Sequence, residues 1–366
     1  SDGLNGFRGA TLDNGTSIPN TGPIDFDMFR GRTFVSPALY SFTSHTFTNC
    51  GKFGTLGPTL SQCISTYGNS SPWNSSDLFT VIGSGIQKWT VPETAIYTID
   101  AFGASGGAST INPIHSNLPL ERRHGARVKA DWALNKDDTL LIVVGQRGAD
   151  GSYGGAGGGG SFVLKQLNPS EPYSVGNAIL MVAGGGGGAG VGSGGYGEAT
   201  LLGFHPYTTT PTLGYGSIGN TYGGGGGGAF SPGRPFYSQP NYFSGGHGLI
   251  LSANNTTNVL KGGERGGFGI SSYGGYGGYG GGAGCSLSTG GGGGYTGGGG
   301  GKYNNNDGYT AGGGGSFPAP NDTSTHQGRT ISNTQVTGTT AATNIDWWYG
   351  DGSPGVGTSG NSNLAD

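Results

Sequence analysis

The sequence predicts an all-β protein with almost no α-helix, in which an antiparallel, jelly-roll-like β-domain adjoins a bundle of polyglycine-type helices. Three observations predict it. Short segments of alternating apolar and polar residues recur between turn signals, as in sandwiches and jelly rolls. Pure glycine runs stand at 184–188, 223–228, 290–294 and 297–301. No segment shows the 3.6-residue apolar period of a convincing helix.

Composition narrows the class. Of 366 residues 85 are Gly and 18 Pro, while 10% are charged. Unperiodic Gly/Pro-rich chains are commonly disordered, but disorder goes with few aromatics and a high net charge. This chain carries 18 Tyr and 16 Phe and a net charge of −3. The glycine runs lack the G-X-Y period of collagen. A pI near 6.0 argues against a nucleic-acid partner, which needs a basic footprint. No apolar run reaches the length of a membrane span. The start, Ser1-Asp2-Gly3, does not read as a signal peptide, so the expectation is a removed leader or a non-secretory exit such as virion assembly.

Four regions follow. Residues 1–41 read as a connector or attachment segment, with Phe7-Arg8-Gly9 echoed by Phe29-Arg30-Gly31. Residues 42–183 read as the β-domain. Its expected strands are Ile86–Val91, Ala95–Phe102 with Tyr97, Ile99 and Ala101 on one face, Ala126–Leu134, the apolar run Thr139–Val144, Phe162–Leu167 and Ala178–Ala183. Residues 184–317 hold 52 glycines and read as the bundle. Residues 318–366 are Thr/Asn/Gly-rich around Trp347-Trp348-Tyr349.

Glycine runs can be ordered only if the backbone stabilises itself. Fixing each residue costs about 1–2 kcal/mol, and Gly loses the most freedom. An extended helix with three residues per turn has no internal hydrogen bonds. Its N–H and C=O groups point outward, and only Gly lets neighbours come close enough to pair them all. At a net ~0.5–1.5 kcal/mol per bond, such a lattice offsets much of the entropy. The alternative is a flexible linker; the number of separate runs favours order.

Segments between the runs then become loops on a stiff scaffold. Tyr207, Tyr215, Tyr222, Arg234, Phe236, Tyr237, Tyr242, Phe243, Tyr303 and Tyr309 are the candidate surface-binding residues. The same rings could instead seal the bundle ends. Phe29, Arg30, Trp347, Trp348 and Tyr349 are candidate oligomer or anchor contacts. Cys50 and Cys63 close a short loop rich in turn formers and read as a local disulfide. Cys285 stands alone, either as a buried thiol or as an intermolecular bridge.

Catalytic and metal patterns are weak. Gly103-Ala104-Ser105-Gly106-Gly107 fits G-x-S-x-G, but no helix follows it and chance matches abound in so glycine-rich a chain. The six histidines lack ligand spacing. Asn304-Asn305-Asn306-Asp307-Gly308 resembles part of a Ca²⁺ loop without its closing Glu and reads as a turn. No enzyme activity, metal or cofactor is expected.

A series of motifs in order resembles the glycine-rich ectodomain region of the anaplastic lymphoma kinase and leukocyte tyrosine kinase receptors. They are Phe47-Thr48-Asn49-Cys50-Gly51, Gln62-Cys63, Gly85-Ile86-Gln87-Lys88-Trp89-Thr90-Val91-Pro92, Asn135-Lys136-Asp137-Asp138, Val144-Gly145-Gln146-Arg147-Gly148 and Gly266-Gly267-Phe268-Gly269. The resemblance spans about residues 42–317. It implies a jelly-roll-like domain with a polyglycine-helix bundle, and it marks Cys50–Cys63 as a disulfide. Where the family has a second cysteine after Gly-Gly-His, this chain reads Gly245-Gly246-His247-Gly248, which leaves Cys285 without its family partner. The segment from Ile18-Pro19 to Phe34 resembles short modules of tail-fibre proteins from phages and large aquatic viruses.

The leading expectation is a non-enzymatic virion or appendage protein, a tail-fibre or adhesin subunit. Its partners would be a host-surface glycan or protein receptor and further copies of itself in a homo-oligomer. The alternatives are a secreted or receptor-derived ectodomain that binds a protein ligand, and an extracellular filament former. Either way the location is a virion surface or the extracellular space.

Overall fold

The computed structural model describes most of residues 38–110, 124–167, 178–206, 212–235, 245–249, 259–264, 274–302 and 311–318. It also describes isolated residues and short strands outside these ranges. The elements are β1 (Thr11–Leu12), β2 (Phe34–Val35), β3 (Ser44–Phe47), α1 (Leu60–Tyr67), β4 (Phe79–Ile82), β5 (Ile86–Thr90), β6 (Ala95–Phe102) and β7 (Arg127–Leu134). They continue with β8 (Thr139–Val143), β9 (Ser161–Lys165), β10 (Ala178–Ala183), β11 (Thr325–His326), β12 (Arg329–Thr337) and β13 (Ser362–Ala365). β1 and β2 form a small antiparallel pair. The rest build a five-stranded sheet in the order β10-β9-β8-β5-β4 and a six-stranded sheet in the order β11-β12-β7-β6-β13-β3, all antiparallel. The fold is all-β, as the alternation in the sequence predicts.

The two sheets close over one core. Tyr97, Ile99 and Ala101 of β6 and Val128, Ala130 and Trp132 of β7 are fully buried against Trp89, Leu140, Ile142, Val163 and Leu180 of the opposite sheet. The outward face of β6 and β7 is polar. Asp100 takes two hydrogen bonds from Arg127 at 2.9 and 2.6 Å, and the guanidinium also stacks over Phe102. Asp131 accepts from Thr98 at 2.6 Å. This is the inside/outside alternation of a half-exposed sheet.

The five-stranded sheet is covered on both faces. Leu141, Val143, Phe162, Leu164 and Val182 point away from the sandwich core into a second apolar cluster with Ala229, Leu249, Val259, Leu260 and Tyr279. β8 is therefore an unbroken apolar strand, because neither of its faces meets water.

Within residues 42–183, two departures from expectation have physical causes. β3 and β4 carry too little alternation to be read as strands, being four residues each. The segment before Cys63 forms α1 instead of turns. Its start is a capping box: Gln62 N–H donates to the Thr59 hydroxyl at 3.3 Å, and Thr59 N–H donates to Gln62 Oε1 at 2.9 Å. Two helical turns are too few for a legible period. Cys63, the one fully buried residue of α1, bonds to Cys50 as expected.

Beyond the second cluster lies a lattice of glycine backbone. Gly155, Ala156 and Gly157 donate in turn to Ala189, Ala149 and Ala283; the next three, Gly158, Gly159 and Gly160, donate to Gly186, Gln146 and Gly280. Every third N–H thus meets the same neighbouring segment. The pattern repeats at 290–295, where Gly290 and Gly293 donate to Gly155 and Gly158, Gly291 and Gly294 to Gly224 and Gly227, and Gly292 and Tyr295 to Gly312 and Gly315. A backbone whose donors rotate by a third of a turn per residue can bond neighbours on three sides. Residues 103–108, between β6 and β7, and 145–160, between β8 and β9, join the same lattice, so it is threaded through the sandwich's own connections. The loop inside the disulfide joins too: Gly54 and Thr55 carbonyls accept from Tyr279 and Gly262 at 2.9 and 2.8 Å.

A Cβ on Gly292 would overlap the carbonyl of Gly185, and one on Gly226 that of Gly292. The obstacles are backbone atoms held by hydrogen bonds, so they cannot rotate away. Gly292→Ala is expected to lower unfolding stability by about 3 kcal/mol, as overpacking of a tight interior does. Ile96→Ala, on the exposed face of β6, should change it by less than about 0.5 kcal/mol; denaturant melts of the two variants check the contrast. Replacing Cys50 and Cys63 together by Ser should cost about 3 kcal/mol in the same assay, since the bridge closes a short loop docked on the lattice.

Candidate binding surface

On the outer side of the lattice, residues 296–300 are flanked by two extended segments. Gly299 N–H donates to the Phe204 carbonyl at 3.0 Å, while Gly297 and Gly300 donate to Tyr215 and Ile218 at 3.0 and 3.2 Å. Ser217 N–H in turn donates to Gly226, and Arg234 N–H to Ser217 at 2.8 Å. The outer segments are therefore pinned by the same backbone bonding that builds the interior. Ser217 on these segments is buried, and the large side chains around it point outward.

Those side chains are apolar. Phe204 is 45% exposed, Leu213 and Tyr215 are each 47% exposed, and Leu202, Ile218 and Phe230 are exposed as well. Four rings form a continuous ladder. Tyr215 meets Phe230 edge-on at 6.0 Å, Phe230 meets Tyr295 edge-on at 5.9 Å, and Tyr295 stacks on Phe317 at 5.0 Å. The inner end is anchored because Phe317 exchanges two 2.8 Å backbone hydrogen bonds with Val182, along the edge of β10. Aromatic pairs in these geometries add about 0.5–1.5 kcal/mol beyond burial. The ladder is held from the core outward and ends in solvent at Tyr215.

Burial raises the Tyr295 hydroxyl above its ordinary range. Burial also depresses His205, whose ring lies 3.2 Å from the Gly297 carbonyl and 3.3 Å from the Ser217 hydroxyl. Behind Phe317, Glu198 is half-buried; its N–H donates to Gly314 and its carbonyl accepts from Ser316. Desolvation pushes its carboxyl up to about 7.

Of the ten residues expected at the binding surface, Tyr215 and Arg234 are described, and both are exposed on this outer layer. Tyr207, Tyr222, Phe236, Tyr237, Tyr242, Phe243, Tyr303 and Tyr309 lie outside the described residues, as do the anchor candidates Phe29, Arg30, Trp347, Trp348 and Tyr349 and the Asn304–Gly308 segment. Phe230, Phe204, Leu202, Leu213 and Ile218 are surface residues that the sequence reading does not single out. The available signal is their place in the segments flanking glycine runs.

The remaining sequence candidates are interior. Ser105 is 4% exposed and sits in the lattice, where its carbonyl accepts from Gly148. Cys285 is a free thiol with no exposure, receiving a hydrogen bond from Gly275 N–H at 3.1 Å, and burial pushes it up to about 12. Of the two readings of Cys285, buried thiol or intermolecular bridge, its complete burial favours the first. Among the described residues no cluster of His, Cys, Asp and Glu could hold a metal ion, and no helix is long and apolar enough to cross a membrane.

Fold and surface together define a β-sandwich on a glycine lattice that displays an apolar, aromatic outer layer. Over 115 residues the chain is 36% identical to the leukocyte tyrosine kinase receptor of Mus musculus; the match covers 30% of this chain and 12% of the receptor. Part of the chain is thus related to that receptor, and the resemblance drawn from its motifs holds at that level. No protein-family model matches the chain.

Glu198 gives this region a pH signature. The carboxyl is held neutral in the fold up to about 7, against 4.5 ordinarily. Stability from the neutral form is complete below pH 4.5 and is lost as pH rises through 7. Depressed histidines, among them His45 at about 4, act in the opposite sense over much of the same range. The difference between wild type and Glu198→Gln isolates the carboxyl. Between pH 4.5 and 7 the wild type should lose stability relative to the variant in melts taken at matched ionic strength.

Proposed function

We propose that the protein is a non-enzymatic extracellular binding module that takes a protein ligand on the outer layer formed by Tyr215, Phe230 and their aliphatic neighbours. The observation that carries this reading is the exposed end of the ring ladder, presented by a backbone that cannot relax. Contiguous apolar surface rimmed by polar groups marks interaction sites in soluble proteins. Rigid aromatic anchors are what binding hot spots are made of. The mixture of aliphatic and aromatic groups favours a protein over a glycan, because sugars need polar partners around each ring. Relatedness to part of a cell-surface receptor fits an extracellular setting and a protein partner. On this reading the three-residue bonding repeat is that of polyglycine helices, and the lattice is the support of the ligand surface. The tail-fibre reading draws only on the segment before Phe34 and is the weaker of the two.

The test is a screen of the immobilised chain against secreted proteins and receptor ectodomains, with a glycan array in parallel. A protein binder is expected, with affinity falling at least tenfold on Phe230→Ala or Tyr215→Ala and holding on Ile96→Ala. Binding of glycans alone, or of proteins with no loss in either ring variant, would sink the proposal.

A further inference from the structure

The turn that leads into β4 presents an acceptor for an N-linked glycan. Asn-X-Ser/Thr tripeptides begin at Asn14, Asn69, Asn74, Asn254, Asn255 and Asn321, none with Pro in the middle. A chain rich in Asn, Ser and Thr produces such tripeptides freely, so the pattern alone selects none of them. Asn74-Ser75-Ser76 is the one whose three residues are all described, and Asn74 and Ser76 are both exposed.

Backbone bonding fixes where this turn lies. Ser75 N–H donates to the Pro72 carbonyl at 3.2 Å, and Leu78 N–H donates back to the Ser75 carbonyl at 3.1 Å. Pro72 is buried and roots the turn, while the Asn74 amide donates to the Asn69 carbonyl at the surface. The Leu78 carbonyl faces β5, where it accepts from Thr90 N–H at 2.9 Å. In a planar trans peptide the N–H points opposite to the C=O. The N–H of that same peptide unit, which belongs to Phe79, therefore points away from β5, and it donates to Ser75 at 2.9 Å. The middle residue of the tripeptide thus sits on the outer side of β4, bonded to its first residue.

That outer side is an open sheet edge. β4 ends the five-stranded sheet and pairs with β5 alone. The opposite edge, β10, is capped by the two backbone bonds between Val182 and Phe317. Among the described residues no strand or bridge covers the outer side of β4. Open edges template association between chains, and natural proteins blunt them with charges, proline or a cover. Phe79–Ile82 has neither charge nor proline and consists of residues that favour strands. A cover from outside the sheet is the remaining device.

We infer that Asn74 carries an N-linked glycan and that this glycan shields the outer edge of β4. The inference rests on the extracellular setting proposed above, because the modification belongs to secretory products. In the transfer, Asn74 Nδ2 attacks the anomeric carbon of an oligosaccharide carried on a lipid pyrophosphate. The C–N bond forms as the C–O bond to pyrophosphate breaks; the lipid pyrophosphate leaves with the bonding pair, and the nitrogen gives up one proton. Its second N–H remains for the Asn69 carbonyl. β4 and β10 are opposite edges of one sheet, so the glycan leaves the ring ladder beside β10 uncovered.

The test expresses the full chain behind a cleavable secretion leader in cultured animal cells. Peptide mapping after amidase treatment, which turns a glycosylated Asn into Asp, should place a glycan on Asn74. Ser76→Ala, which leaves Asn74 in place, should abolish it, and Ser76→Thr should keep it. Light scattering reads the shielding. Asn74→Gln and Ser76→Ala should each show roughly a twofold or greater rise in average mass over wild type, and adding Thr80→Lys, a charge on the edge strand, should reverse it. Secreted wild type with Asn74 unmodified overturns the inference and leaves the ligand proposal standing. Glycan-free variants that keep the wild-type mass, or whose association Thr80→Lys does not relieve, overturn the shielding of β4. A chain that never leaves the cell overturns the extracellular setting itself, and the ligand proposal with it.

Discussion

A polypeptide without side chains has one resource, its peptide groups, and the structure is organised around using them in every direction. Strands bond to two neighbours in a plane. The glycine segments bond to three, because successive donors rotate by a third of a turn, as from Gly155 to Gly160 and again from Gly290 to Tyr295. That geometry demands backbone-to-backbone contact on all sides, and it excludes a Cβ at Gly226 or Gly292. Alanine is admitted only where a methyl finds room, as at Ala156, Ala229 and Ala283, all fully buried. The interior is thus specified by the absence of side chains, the opposite of an ordinary core.

Such a lattice lacks a hydrophobic drive of its own, and the five-stranded sheet provides it. One face of that sheet completes the sandwich core; the other presents Leu141, Val143, Phe162 and Val182 to Leu260 and Tyr279 of the glycine-rich part. Burying a large apolar side chain contributes about 1.5–3 kcal/mol. A handful of such contacts therefore matters where each backbone bond nets about 1 kcal/mol. Threading the connections β6–β7 and β8–β9 through the lattice makes the two parts cooperative. Gly103–Ala108 and Gly145–Gly160 cannot come out of register without disturbing the strands they join.

Much of this was legible in the sequence. Tyr97, Ile99 and Ala101 alternate with polar residues and lie inside; the apolar run from Leu140 is doubly buried; β6 and β10 begin and end where the pattern puts them. α1 was not legible, because Leu60, Ile64 and Tyr67 mark just two turns and the decisive signal was Thr59 with Gln62. β13 could not be read either: Ser-Asn-Leu-Ala is a strand only because β3 and β6 leave a place for it, and no local propensity encodes a distant vacancy. At the binding surface, the segments carrying Tyr215 and Arg234 were identifiable as loops between glycine runs. The ladder from Tyr215 to Phe317 was not, since it joins rings far apart in sequence that only the lattice brings together.

The same physics separates what is fixed in this protein from what is free. Inside the lattice almost every position is committed to glycine, whatever the protein binds. On the outer layer the backbone at Phe204, Tyr215 and Ile218 is held by bonds from Gly299, Gly297 and Gly300, which are indifferent to the side chains these residues carry. Side chains can therefore be exchanged there without rebuilding the support, and each new one is presented with its backbone ordering already complete. An interface built this way loses little entropy on binding, which is where rigid scaffolds gain affinity over flexible loops. The glycine content that would otherwise suggest a linker is, in this arrangement, what makes the displayed surface stiff.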